Sequence, residues 1–457
     1  MKTAVILAAG AGTKMWPYTV IRPKVMIPVA NKPIIAYNVE LLLDLGFDNI
    51  IIVGSSMIEQ IKNYFRKSNN IKIIKTDGTN GTAFSLNAAK EFITEDEFLV
   101  LYGDTIINKQ DVESLIFSVE TGNGKPSALI EPLGEEISND WICCLVNNNS
   151  IENITGHPRY KCSHRFCGFA LTHDVLEYIE YNSGIFSNVN VGVMAPVEGY
   201  LEMSLADYIS DGNQINAVIT NETFLDVDKP WHILMANSYI VNKLCMELST
   251  NILDEGAYID PSAEIKGFVK MGKDSKIGRN VLIKGSLIAG DNTIIDNGAI
   301  LNGNVVIGND CFVGNYCQIS GGSVIGNKCI VDHCAEFAGV TMERVYLYHY
   351  MEFCGVIGCC TDLGAATVCG TLRFDDGVTE HRTKNRREKP KQYSNSCYLG
   401  DFSRTGVNAI IMPGCKTGVY SIVGPGVVLT EDLPDNTMVM VDQQLIKKQW
   451  GPERYGW

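Results

Sequence analysis

The sequence predicts a chain in two parts: an α/β domain on a doubly wound parallel sheet, followed by a parallel β-helix. Three observations predict this. Short apolar runs alternate with helical patterns up to Tyr102. From about Tyr258 an apolar residue recurs at every sixth position. A turn of small residues directly follows the first apolar run, as at the ligand-binding edge of doubly wound sheets. At 457 residues the chain is also too long for one core.

The first apolar run, Ala4 to Leu7, has the length of a buried parallel strand. It ends in Ala8-Ala9-Gly10-Ala11-Gly12-Thr13, followed by Lys14, Arg22 and Lys24. Small residues let backbone approach a ligand closely, and consecutive amides in such a turn make an anion-binding concavity. With cations just beyond it, the turn reads as a phosphate cradle. Ile34 to Leu45 then reads as a helix stopped by Gly46, Ile50 to Val53 as a strand, Ile58 to Phe65 as a helix and Ile71 to Ile74 as a strand. A loop from Asp77 to Ala83 opens a further helix reaching about Phe92, and the strand Phe98 to Tyr102 ends in Gly103-Asp104. Ligands of such sheets sit beyond the carboxyl ends of the strands, so the Gly10 turn and Asp104 are expected to line one cleft. Asp104 is a candidate magnesium ligand. Asp226 and Asp228 share a face if Leu225 to Asp228 is extended, and they supply candidates for a second carboxylate.

The hexapeptide repeat is the most specific signal. Ile265, Met271, Ile277, Ile283, Ala289, Ile295, Leu301, Ile307, Val313, Ile319, Ile325, Val331 and Phe337 mark it. Small or β-branched residues such as Val269, Ser275, Val281, Thr293, Cys311, Cys317 and Cys329 stand two positions before them. Each unit supplies one short strand of a solenoid whose stacked apolar residues form its interior. The repeat resumes at Ile357 and Leu363, then returns at Leu399, Thr405 and Ile411 and again at Thr417, Val423 and Leu429. Two stretches read as interruptions: Thr341 to Phe353, which carries His349, and the basic stretch Arg373 to Lys391.

Composition narrows the function classes. The formal charge of −14 gives no general pull toward nucleic acid or an anionic membrane. No apolar run approaches bilayer length, and the start lacks a signal-type segment, so a cytoplasmic location is expected. The 15 cysteines lack metal-ligand spacing and read as reduced thiols packed as small apolar residues. The tail from Val441 to Trp457 carries Trp450 and Trp457, which suggest that it docks.

Together these residues resemble the sugar-1-phosphate nucleotidylyltransferases. The family pattern LAAG-x-G-[TS]-R, then RPK-x-[ML]-[PL]-V-x-NKP, reads here as Leu7 to Lys14 and Arg22 to Pro33. Gly81-Thr82-Ala83, Gly103-Asp104 and Asp226-Val227-Asp228 also match. With the C-terminal hexapeptides, nearly the entire chain resembles the archaeal-type bifunctional nucleotidylyltransferase/acetyltransferases. The resemblance implies a Rossmann-like nucleotidyltransferase domain over residues 1–250, a left-handed parallel β-helix over 251–440 and a tail over 441–457. It implies transfer of a nucleotidyl group from an NTP, UTP or dTTP by family habit, to a sugar-1-phosphate. Gly10, Gly12 and Thr13 would hold the triphosphate, and Ala9, Gly81 and Thr82 would face the base. Lys14 and Lys24 would neutralise phosphate charge. Asp104 with Asp228 or Asp226 would hold Mg²⁺. The β-helix implies a homo-oligomer, commonly a trimer. His349 falls where acetyltransferase relatives place a general base, with acetyl-CoA as the second substrate.

The chain also departs from the pattern. Lys14 replaces an arginine, which loses a bidentate fork but keeps the charge. Gly156-His157-Pro158 stands where the family has Glu-Lys-Pro, whose Glu binds sugar hydroxyls. Phe166-Cys167 precedes Gly168 where an Asn is expected, and a Tyr-Gly pair expected near Trp141-Ile142 is missing. Around His349, the family's lysine, tyrosine and asparagine align near Ala338, Glu352 and Asp362. These departures leave an alternative open, a catalytically reduced regulatory or binding subunit of an NDP-sugar pyrophosphorylase.

Overall fold

A computed structural model describes residues 1–77, 80–122, 124–134, 136–195, 197–221, 224–384 and 386–452. The chain divides into two compact units, Met1–Ile240 with Arg382–Arg387, and Val241–His381 with Glu388–Trp457. Among the described residues no helix is long and apolar enough to cross a membrane.

Among the described residues, the main sheet of the first unit has nine strands: β1 Thr3–Ala8, β2 Asn49–Gly54, β3 Ile71–Lys75, β4 Glu97–Tyr102, β5 Ser127–Pro132, β6 Ile142–Asn147, β7 Ser150–Gly156, β8 His164–Thr172 and β9 Asn216–Ile219. They pair in the order β3-β2-β1-β4-β8-β5-β9-β7-β6. The first four are parallel, as the alternating pattern predicts. Beyond β4 the sheet is mixed, because β8 pairs antiparallel with both β4 and β5. The strand-helix alternation lapses there, where β6 and β7 follow one another as antiparallel neighbours.

Helices cover both faces. α1 (Ile34–Asp44), α2 (Ile58–Tyr64) and α4 (Lys109–Thr121) pack on one face, and α3 (Thr82–Ala89), α5 (Val175–Glu180) and α6 (Leu201–Ser210) on the other. The period of two along a strand divides β1 between them: Ala4, Ile6 and Ala8 join one core, Val5 and Leu7 the other. A strand buried on both sides must be apolar throughout, which is why Ala4 to Leu7 was legible as one. Helix α7 (Pro230–Met246) follows the acidic pair.

In the second unit the hexapeptides form three columns of parallel strands. Val269–Met271, Leu287–Ala289 and Val305–Ile307 belong to one column, Lys276–Ile277, Ile294–Ile295 and Phe312–Val313 to the next, and Leu282–Ile283, Ile300–Asn302 and Gln318–Ser320 to the third. A residue pairs with the one 18 positions on, so three hexapeptides close one coil (Val269 opposite Leu287). The repeat residues form one continuous apolar core that includes Cys311, Cys317 and Cys329. Asn280, Asn292, Asn297, Asp310 and Asn315 turn the corners at positive φ, a conformation these side chains tolerate better than most. All 15 cysteines are free thiols.

Thr341 to Phe353 is not an interruption. Glu336–Thr341 pairs in register with Glu352–Ile357, so the coil here is 16 residues long. Gly339 (φ 134°) and Gly355 (φ 146°) let each strand pass a corner without leaving the ladder. The hexad phase therefore slips by two residues while the solenoid continues. The second stretch is a true excursion: strand partners move to 42 residues apart, Asp362 opposite Arg404. The excursion carries a two-stranded ribbon, His381–Thr383 with Arg386–Glu388. Trp450 is exposed, and Trp457 lies outside the described residues.

Gly355→Ala tests the corner. A Cβ there would lie 1.8 Å from Cys397 O, whereas Gly426, also at positive φ, has open space around it. Gly426→Ala should cost only the dihedral penalty of about 1–2 kcal/mol. Gly355→Ala should cost clearly more in urea denaturation followed on the solenoid, and equal losses would contradict this account of the shortened coil.

Candidate active site

The carboxyl ends of β1 and β4 meet. Gly103 N donates to Leu7 O at 2.8 Å, which sets the Gly10 turn beside Asp104. The buried Asn38 amide of α1 donates to Tyr102 O and Thr105 O, each at 2.9 Å, and so fixes the turn that presents Asp104. Thr105–Ile106 pairs antiparallel with Leu225–Asp226, and Val227 N donates to Asp104 O at 3.2 Å. This short ribbon brings the second acidic segment to the first across more than a hundred residues.

Lys24 is the centre of the arrangement. Its Nζ donates to Asp104 Oδ2 at 2.6 Å and to Asp228 Oδ1 at 2.8 Å, with only 8% of the side chain exposed. Lys14 Nζ reaches Asp228 Oδ2 at 3.0 Å. Burial works to lower the Lys24 pKa, but the charges of Asp104, Asp228 and Asp226 outweigh it and hold the ammonium well above its ordinary value. Burial likewise works to raise Asp228, and the two lysines overcome it, so this carboxylate stays ionised. Asp226 moves the other way. Burial pushes it up, and the attraction of Lys24 does not offset burial together with Asp228 and Asp104. His232, on the first turn of α7, is held neutral by burial at about 3, and its Nδ1 accepts from Asp228 N at 3.2 Å.

The Gly10 turn lies next to Lys24. Gly12 packs against Lys24 Cβ and Thr19, whose hydroxyl donates to Gly12 O. Gly10, Ala11 and Thr13 are exposed, and Ala9 is buried with its carbonyl held by Ser55 Oγ at 2.7 Å. Gly81 needs its glycine: φ is 114°, and a Cβ would lie 2.3 Å from Gly199 O. Thr82 Oγ1 accepts from Leu201 N at 2.8 Å. Gly78 and Thr79 of the same loop lie outside the described residues.

Lys14, Lys24, Asp104, Asp226 and Asp228 thus come together, with the Gly10 turn beside Lys24. His349 belongs to the other unit. Among the described residues no group of three or more His, Cys, Asp or Glu side chains is arranged to hold a metal. Mg²⁺ needs only one or two carboxylates, since phosphate oxygens and water complete its shell. Asp104 and Asp228 fit that role, because both already converge on one cation.

The sequence reading missed a second cluster. Arg165, near the start of β8, donates from Nε and Nη2 to Glu131 Oε2 at 2.9 and 2.7 Å, while Nη1 lies 3.9 Å from Asp226 Oδ2. Its guanidinium lies 4.0 Å from the centre of the Trp141 ring. An arginine directly before the apolar run Phe166 to Leu171 was the available signal. Gly156 faces Phe186 at a distance that leaves no room for a Cβ.

Residues 3–133 match the nucleotidyl transferase family, and residues 248–342 match the GMPPB C-terminal domain family. The chain is 32% identical over 454 residues to the bifunctional protein GlmU of Methanococcus maripaludis strain C7, covering 97% of this chain and 98% of that protein. The chain belongs to the GlmU-like family of bifunctional sugar-1-phosphate nucleotidylyltransferases/acetyltransferases. Other family members include a bifunctional sugar-1-phosphate nucleotidylyltransferase/acetyltransferase of Sulfurisphaera tokodaii, 27% identical over 94% of this chain and 98% of that protein. The GlmU protein of Methanocaldococcus jannaschii is 29% identical over 97% and 98% respectively. These are names of enzymes.

Arg165→Met tests the second cluster. Removing one partner of a buried ion pair costs about 3–5 kcal/mol, because the other charge stays buried and unpaired. Urea denaturation of the first unit should show a loss of this size, partly recovered by adding Glu131→Leu. A loss under about 1 kcal/mol, the value typical of a solvated pair, would contradict it.

Proposed function

We propose that the chain catalyses nucleotidyl transfer from an NTP to a sugar-1-phosphate, giving an NDP-sugar and pyrophosphate, with UTP or dTTP as the donor. The observation that carries this reading is the Lys14–Asp228–Lys24–Asp104 chain at the carboxyl ends of two parallel strands. A sugar-phosphate oxygen attacks the α-phosphorus, and the bond to pyrophosphate breaks in line. Such chemistry needs positioning and charge neutralisation rather than a protein nucleophile.

The Gly10–Thr13 turn binds the triphosphate, and Ala9, Gly81 and Thr82 face the base. Lys14 takes up charge that grows on the leaving pyrophosphate, and Lys24 binds at the α-phosphate. Asp104 and Asp228 would hold Mg²⁺, which when bound neutralises phosphate charge. Asp226 serves instead as the partner of Arg165, a division supported by its net shift, up where that of Asp228 is down, and by its distance of 3.9 Å to Arg165. In this reading residues 1–250 carry nucleotidyl transfer and residues 251–440 form a left-handed β-helix that assembles the chain as a trimer.

A second activity, acyl transfer from acetyl-CoA at His349, is favoured by one observation. His349 stands exposed at a solenoid corner with its ring held by a neighbouring imidazole. Its product is a free thiol, whose release should disappear in His349→Ala.

The test of the main reading is pyrophosphate release with a panel of NTPs and sugar-1-phosphates, with and without a chelator. At least one pair should turn over, and chelation should abolish it. Asp104→Asn and Asp228→Asn should each lower kcat by roughly a hundredfold or more, the scale of losing a preorganised charge, and Asp226→Asn should cost less. Nucleotide binding without turnover for every pair would overturn the reading in favour of a regulatory subunit.

A further inference from the structure

His349 is one member of a polar ladder that climbs a single corner of the solenoid. Asn297, Asn315, His333 and His349 occupy that corner on successive coils, all at positive φ. Asn297 Nδ2 donates to Asn315 Oδ1 at 2.8 Å, and Asn315 Nδ2 donates to Asp332 Oδ1 at 2.6 Å. The same Asp332 oxygen accepts from His333 N at 2.8 Å. Asp332 Oδ2 is left facing His333 Nε2 at 3.6 Å. The far side of the His333 ring meets His349, with the two Nδ1 atoms 2.7 Å apart.

Two imidazole nitrogens at that distance share one proton, so one ring donates and the other accepts. The carboxylate decides which. An ionised Asp332 only accepts, and although 3.6 Å exceeds a hydrogen bond it favours the proton on His333 Nε2. Neutral His333 then presents a bare Nδ1, which must accept from His349 Nδ1–H. That leaves the lone pair of His349 on Nε2.

We propose that Asp332 and His333 are positioning residues that fix His349 in the Nδ1–H tautomer and leave Nε2 free as a base. This rests on the acyl-transfer reading of the solenoid for its use, though not for its geometry. In the reaction it serves, an amine nitrogen attacks a thioester carbonyl. The C–N bond forms as the C–S bond breaks, the amine proton passes to His349 Nε2, and the departing thiolate later collects that proton. Tyr348, stacked on His349 with ring centres 5.4 Å apart, limits the ring's rotation.

Asp332→Asn is the discriminating variant. Asn315 and His333 N both donate to the Oδ1 side, so the carboxamide oxygen stays there and its NH₂ turns toward His333. An NH₂ donates, which reverses the chain: His333 carries Nδ1–H, and His349 is left with Nε2–H. His333→Gly removes the ring at a corner whose positive φ glycine accepts.

The experiment is nitrogen NMR on the full-length protein with isotope-labelled histidine, which reads the tautomer of each of the seven histidines, the His349 signal being assigned by its loss in His349→Gln. The wild-type protein should show His349 as Nδ1–H, Asp332→Asn should show Nε2–H, and His333→Gly should abolish the preference for Nδ1–H. Thiol release from acetyl-CoA in the presence of amino-sugar phosphates should fall roughly ten- to a hundredfold in Asp332→Asn, within the range a general base contributes. Nε2–H at His349 in the wild-type protein, or Nδ1–H retained in both variants, overturns the relay. The expected tautomers without thiol release uphold the relay and overturn the acyl-transfer reading alone.

Discussion

A single buried ammonium organises the first unit. Lys24 carries 8% exposure and touches two carboxylates from segments far apart in the chain. Burying one charge without partners would cost several kcal/mol, so the ammonium and its carboxylates impose conditions on each other. Asp104 must be brought by the β4 turn, Asp228 by the segment before α7, and Lys24 by the loop after the Gly10 turn. Asn38, His232 and the Thr105–Ile106 ribbon secure those arrivals. The cations also explain why two neighbouring carboxylates behave differently. Asp228, shared by two lysines, is held ionised against its burial, whereas at Asp226, the one turned toward Arg165, burial and the neighbouring carboxylates outweigh the cations.

The second unit depends on backbone conformation at corners. An apolar core fed by every sixth residue needs a reversal between strands, and Asn and Asp at positive φ supply it on coil after coil. Where glycine takes that role inside a strand, the coil shortens by two residues and the ladder continues. The corners also stack like side chains above one another. Asn297, Asn315, His333 and His349 therefore form a ladder that no short motif would reveal.

Much of this was legible in the sequence because it rests on periodicity. Strands buried on both faces are apolar throughout, and the six-residue repeat marks the solenoid interior. The carboxyl-end rule placed the Gly10 turn near Asp104 before any contact was known. What was not legible depends on which faces meet. The mixed half of the sheet follows from β8 entering antiparallel, which its composition does not announce. Thr341 to Phe353 looked like a break because a shift of phase resembles a loss of pattern. Arg165 with Glu131, and His333 with His349, are pairs whose members lie on different strands or coils, so neither stands out alone. Asp226 and Asp228 are separated only by their partners, Arg165 and the two lysines.

The claim that Lys24 and Asp228 act as one unit is open to a direct measurement. The measurement is a double-mutant cycle on kcat/KM for pyrophosphate release, using Lys24→Met, Asp228→Asn and the pair. If the ammonium and the carboxylate form one constellation, either single change should cost nearly as much as both together. Losses that simply add would contradict the account, because they would mean that the two side chains serve the reaction independently.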